Sequence, residues 1–268
     1  MRINLQSLRR FWAGALGLAV AMFLLANLAS LVWKRARPGL SGDPLFACPR
    51  VFLWAWERPE NLEFIDPRQL GVAVLAKTIL MRGPKVTVRP RLQPFQAPRE
   101  TSTIAVVRIE TERTEAAPGQ SREVAAEIAQ LAETPGLAAI QIDFDAVKSE
   151  RPFYRMLLEE LRRRLPASVK LSITALASWC IYDDWIAELP VDEAVPMLFR
   201  MGVDREGVVR YLRSGNDFRP KICRYSVGVS TGEPLPRLPS GRRMYLFHPR
   251  PWTAQSLREI LEEVRKWQ

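Results

Sequence analysis

Hydrophobic and polar positions along this chain follow two periods, and they take turns. Short apolar runs with a period of two predict strands at Val51–Glu57, Val72–Leu80, Ile104–Glu110, Leu137–Asp145, Lys170–Trp179, Glu193–Met201, Lys221–Ser230 and Arg242–His248. Stretches with apolar residues three and four apart predict helices at Arg122–Glu133, Pro152–Leu165, Asp183–Leu189 and Asp204–Arg213. A last helix follows Thr253 and buries Leu257, Ile260, Leu261 and Val264. Ser121 is the expected N-cap of the first helix and Thr253 that of the last. The β-rich but proline-marked stretch Lys85–Arg91 reads as a hairpin outside the main sheet.

The clearest strand is Leu137–Asp145, Leu-Ala-Ala-Ile-Gln-Ile-Asp-Phe-Asp, entered through Pro135-Gly136. Alternation puts Ile140, Ile142 and Phe144 on one face and Gln141, Asp143 and Asp145 on the other. The polar face becomes acidic toward the strand's C-terminal end, where parallel α/β folds collect ligands and chemistry.

Eight strands, from the third onward mostly alternating with helices, predict an α/β fold: a (β/α)8 TIM-like barrel over residues 50–268. An open doubly wound sheet is the alternative, but no glycine-rich turn follows the first strand to hold a dinucleotide. No cofactor is expected.

The N-terminal pattern differs. Phe11 to Trp33 carries no charge and is long enough to cross a bilayer as a single transmembrane helix. A signal peptide is the rival reading. Residues 1–10 form a basic flank and 34–49 a linker. These expectations place the chain in a bacterial inner membrane, single-pass, with the barrel in the periplasm. They also reinterpret the net charge of +10 on 268 residues. Arg2, Arg9, Arg10, Lys34, Arg35 and Arg37 account for six of those charges, leaving +4 on residues 41–268. No basic run interleaved with aromatics occurs there, so nucleic acid is not an expected partner. Hydrophobic content of 47% supports a core of ordinary size. Cys48, Cys180 and Cys223 show no metal-type spacing; in an oxidising compartment Cys180 and Cys223 are the expected pair.

The Trp-x-Trp strand at 51–57, Ala105-Val-Val-Arg-Ile-Glu110, Ile140-Gln-Ile-Asp-Phe-Asp145 and Leu171–Trp179 together resemble an uncharacterised bacterial domain-of-unknown-function family. The resemblance covers most of residues 50–250 and implies a relative of glycoside-hydrolase barrels, with no established activity. Asp143-x-Asp145 is also similar to the acidic strand of chitinase-type hydrolases, which place a catalytic Glu two residues after the last Asp. Here that position is Val147, and the nearest Glu is Glu150.

In a barrel the predicted strand tips converge on one mouth. They carry Trp56, Glu57, Arg108, Glu110, Asp143, Asp145, Trp179, Arg200, Arg224 and His248. Carboxylates beside aromatics suit carbohydrate: one acid protonates a leaving oxygen, a second attacks or activates water, and aromatic faces stack on sugar rings. Asp143, Asp145 and Glu110 are the candidate catalytic acids; the others are candidate contacts to a carbohydrate or envelope polysaccharide. Cα atoms of residues two apart on a strand lie roughly 6.5 Å apart, close enough for Asp143 and Asp145 to act as a pair. The competing reading is structural, with Arg108, Arg200 and Arg224 neutralising the acids inside the barrel. His248 is the single histidine, and no nucleophile-elbow motif or metal-ligand spacing accompanies it.

Overall fold

The computed structural model describes residues 42–112, 116–234 and 241–265. Its strands are β1 (Val51–Ala55), β2 (Glu60–Asn61), β3 (Leu70–Arg82), β4 (Lys85–Pro90), β5 (Phe95–Gln96), β6 (Thr103–Thr111), β7 (Leu137–Asp143), β8 (Lys170–Leu176), β9 (Glu193–Met197), β10 (Ser226–Ser230) and β11 (Arg243–Phe247). Eight of them pair in parallel around a ring in the order β1-β3-β6-β7-β8-β9-β10-β11, and β11 returns to β1 to close it. All eight fall within or over the stretches the alternation predicts. The expected hairpin is β4, antiparallel to β3 and outside the ring.

Closure sorts the side chains into two layers. Phe52, Trp54, Ile104, Val106, Val195 and Tyr245 point inward and form an inner cluster. Leu53, Val107, Ile140, Ile142 and Ile173 point outward into a larger cluster shared with the helices. Each such aliphatic chain, taken from water, contributes about 1.5–3 kcal/mol. The inner layer is crowded with aromatics, and two glycines make the room: a Cβ on Gly71 would meet the Phe52 ring at 2.4 Å, and one on Gly228 would meet Trp54 at 2.8 Å.

The helices are α1 (Gln120–Ala129), α2 (Arg151–Arg164), α3 (Arg205–Arg213) and α4 (Ala254–Arg265). They follow β6, β7, β9 and β11. Among the described residues no α-helix links β1 to β3, β3 to β6, β8 to β9 or β10 to β11, so the barrel carries half the helices of a full (β/α)8 repeat. The helix expected at Asp183–Leu189 is a series of turns. Its few apolar residues are pinned by tertiary contacts instead, with Ile186 buried and Trp185 against Trp179. Ser121 lies inside α1, whose N-cap is Gly119 at φ 86°, whereas Thr253 does cap α4, its hydroxyl accepting the Ser256 N–H at 3.1 Å.

The end where the strands enter is closed by the segment before β1. Arg243 is 0% exposed and is held by both carboxylate oxygens of Asp43, by Glu193 at 3.3 Å, and by the Leu45 and Pro49 carbonyls. Glu193 also accepts from Tyr245 at 2.8 Å and Ser172 at 2.9 Å. Ser172 accepts from Gln141, and Gln141 accepts from the Trp54 indole at 3.0 Å. A polar spine thus runs along the barrel axis from the closed end to the floor of the open one.

The segment expected to cross a membrane, 11–33, lies outside the described residues. Among those described, no helix is long and apolar enough to cross one. Cys180 and Cys223 are buried free thiols in hydrogen-bond contact, and burial pushes the Cys180 thiol well up.

Candidate functional site

At the C-terminal end of the barrel a cavity of about 430 Å³ opens among the strand tips. Its floor is buried Trp54, whose indole N–H donates to Gln141. Trp56, Phe199 and Phe247 form the walls, the two phenylalanines stacked at 5.5 Å and 7°. The polar groups are Asp143, Asp145, Thr174, Arg58, Arg108 and Arg200. They arrive there because inward positions alternate along every strand: Arg108 on β6 lies in register with Asp143 on β7.

Asp143 ends β7. It keeps some surface in the cavity, but its carboxyl is enclosed by protein. Its hydrogen-bond partner is neutral: the Thr174 hydroxyl donates at 2.7 Å. Burial pushes its pKa up to about 6, against the lowering effect of Thr174, and the neighbouring Asp145 charge adds to the rise. Asp145, two residues on, is exposed at the rim. The pair therefore consists of one enclosed acid that titrates near pH 6 and one exposed acid beside it, an asymmetry of environment that acid/base chemistry uses.

The arginines do not neutralise Asp143 by direct pairing. Arg108 bonds to Glu110 at 3.0 Å, with both side chains about 40% exposed, and lies 5.9 Å from the Trp56 ring centre. Arg200 stacks over Phe247 at 5.4 Å. It is the one non-glycine residue with positive φ among those described, at 51°, and its backbone N–H donates to Glu233 at 2.9 Å while Glu233 also pairs with Arg205. A bulky residue held in the left-handed region is strained, and such strain collects at functional positions. Arg58 is committed to Glu60 and to the His248 and Pro249 carbonyls.

Of the predicted residues, Trp56, Arg108, Asp143, Asp145 and Arg200 line this one cavity. Glu110 stands beside it, tied to Arg108, and Glu57 is exposed outside it. Three others are corrected. Trp179 is 6% exposed and packs edge-on against Trp185 at 5.0 Å in the outer layer, because the chain turns after Leu176 and no longer alternates. Arg224 lies at the opposite end: residues 221–223 are a 3-10 turn, β10 starts only at Ser226, and Arg224 donates to the Phe218 and Arg219 carbonyls. His248 is buried against Trp252 and hydrogen-bonded to Thr231; burial lowers its pKa, and it does not line the cavity. Glu150 is 2% exposed and structural, accepting the Val147 N–H at 2.8 Å and the Thr111 hydroxyl.

Thr174, Phe199 and Phe247 were not anticipated. Thr174 had a legible signal: it occupies the same inward parity on β8 that Asp143 occupies on β7. The phenylalanines had none, since an apolar residue near a strand end reads equally as core.

Residues 99–208 match the model of a family described as a domain of unknown function, DUF3142. The match contains Arg108, Asp143, Asp145, Thr174 and Arg200, and it bears out the resemblance to a domain of unknown function read from the strand motifs. No curated protein matches the chain. Among solved structures, the chain is similar to the spore cortex-lytic enzyme SleL of Bacillus cereus, at 17% identity and a TM-score of 0.44. The likeness covers 68% of this chain and 51% of that one, so the chain spans about half the length of that enzyme, and no residue role is transferred from it.

Proposed function

We propose that this barrel binds a saccharide in its mouth and acts on it as a glycoside hydrolase. The observation that carries this reading is Asp143: an enclosed carboxyl with its pKa near 6, next to solvated Asp145, in an aromatic-walled cavity. About 430 Å³ is within the range of small-ligand sites. A sugar ring stacks on Trp56, with the edge of the Phe199–Phe247 stack beside it. Asp143, holding its proton, donates it to the glycosidic oxygen, and ionised Asp145 attacks the anomeric carbon or activates water. Glu110, held by Arg108, supports the rim rather than the chemistry.

A second reading is a barrel that binds glycan without cleaving it. It is favoured by Val147 at the position where chitinase-type hydrolases carry their Glu, and by the structural commitment of Glu150. A glycan array together with a panel of chromogenic glycosides separates the two. Turnover that Asp143→Asn abolishes while binding persists supports catalysis; binding with no turnover by the unmodified protein supports the second reading; no glycan bound removes both.

The barrel is proposed to work outside the cytoplasm, anchored through residues 11–33. The support is the uncharged apolar run from Phe11 to Trp33. The full chain should stay with membranes through an alkaline wash; its recovery intact in the aqueous fraction contradicts the anchor.

A further inference from the structure

One side of the mouth is higher than the rest. β3 continues past the level of β1, and its upper part pairs with β4 on one edge and β6 on the other. Register carries the mouth's inward face up this wall. Thr78 is opposite Arg108 and also opposite Arg89; Leu80 is opposite Glu110 and Thr87; Arg82 is opposite Lys85. From Thr78 to Arg82 the face rises roughly 13 Å beyond the level of Asp143. The reverse face is fully engaged, with Ile79 and Met81 buried, Val86 and Val88 packed against the outer core, and Gly83 accepting from Gln120 of α1. The wall is therefore a braced part of the fold, with one face open.

The open face is basic and hydroxylated. Arg108 and Arg82 have acidic partners, Glu110 at 3.0 Å and Glu112 at 4.0 Å. Lys85 and Arg89 are exposed and have no carboxylate partner among the described residues. Across the ring, Arg200 on the far rim presents a further cation over Phe247. Half-buried Thr87 stands between Lys85 and Arg89, while Thr78 is buried at the base of the wall. Above Trp56 the face carries no aromatic ring on which nucleic-acid bases could stack.

We propose that this wall is a binding track for a carboxylate-bearing polysaccharide. The chain lies along Arg89, Thr87 and Lys85 and delivers an acidic sugar to the mouth, where Arg200 meets its carboxylate. Two cations separated by the Thr87 hydroxyl match a polymer that alternates charge with sugar hydroxyls. The inference rests on the saccharide reading of the mouth and adds the charge class of the sugar.

The test uses the full chain in detergent against a panel of carboxylate-bearing polysaccharides, each beside its carboxyl-reduced twin, with single-stranded DNA as the other ligand. An acidic polymer should bind at least about tenfold more tightly than its reduced twin, more weakly as salt rises. Lys85→Gln with Arg89→Gln should lower that affinity by about tenfold, as losing two exposed ion pairs would. Affinity for reduced polymers and the melting temperature should not move. Equal affinity for acidic and reduced polymers overturns the inference but leaves the saccharide reading standing. A double variant that keeps its affinity for the acidic polymer also overturns it. Tighter binding to DNA than to any polysaccharide assigns the track to another partner, and binding to no polysaccharide removes the saccharide reading along with the track.

Discussion

The two ends of this barrel use charge in opposite ways. At the closed end Arg243, Asp43 and Glu193 are all buried, and each meets an opposite charge as well as neutral donors or acceptors. At the open end the Asp143 carboxyl is enclosed by protein although the residue keeps some surface in the cavity, and its bonded partner is a threonine hydroxyl. Paired burial produces a group whose charge is locked; burial without a pairing cation produces a group that titrates near neutral pH. The polar spine from Arg243 through Glu193, Ser172 and Gln141 to Trp54 joins the locked end to the floor of the titrating one. Such a contrast within one interior separates the role of holding the fold from the role of doing chemistry.

The contrast breaks most visibly at Arg243. Arg243→Leu leaves two carboxylates buried without their cation and should cost about 3–5 kcal/mol of unfolding free energy, measured by denaturant titration. A cost under 1 kcal/mol would mean that the closed end is no more demanding than the mouth.

Asp143→Asn should go the other way. The native pKa of about 6 lies above the ordinary 3.8, so the folded state holds its proton where the unfolded chain has lost it. The resulting stability is fully present below about pH 4 and is lost as pH rises through about 6. Above that range the buried charge is a penalty, and an amide removes it. The variant should therefore be more stable than the unmodified protein by about 1–3 kcal/mol at about pH 8, with the gain vanishing below about pH 4. Equal stability at both pH values would show that Asp143 is not perturbed. If the proposed chemistry holds, the rate of glycoside cleavage should also fall as pH rises through about 6, since Asp143 must carry its proton to act as the acid.

Arg200→Gly tests the strain at the rim. Glycine accepts φ near 51° without penalty, so the variant should gain about 0.5–1 kcal/mol while losing affinity for any acidic ligand. A loss of stability would show that the Arg200 side chain supports the loop. Asp145→Asn should have the smallest effect on folding, within about 0.5 kcal/mol, because the residue is exposed. A large loss of stability there would make Asp145 a structural acid and remove it from the proposed pair.

The strand pattern, read without any structure, already contained the barrel. Parallel strands buried on both faces must be apolar, and β7 announced its inward face because Gln141, Asp143 and Asp145 share one parity. That parity is a local property of the backbone, so it survives in the sequence. It also identified Thr174 in principle, since β8 obeys the same rule. What failed were inferences about where alternation stops. Alternation alone places Trp179 and Arg224 at strand tips, but the chain leaves β8 at Leu176 and enters β10 only at Ser226. Those ends are decided by pairing with neighbouring strands.

The sequence by itself determined the strand count, the inward face of β7 and the acidic pair at its end, because each depends on side-chain periodicity along one segment. The tertiary structure alone decided which acids are paired. Arg243 reaches Asp43 across 200 positions of chain, and Arg108 takes Glu110 two residues away on its own strand in preference to Asp143 on the next. The raised wall of β3, β4 and β6 was likewise decided by register between strands. Pairing energies depend on distance and burial in three dimensions, and composition along the chain does not carry either.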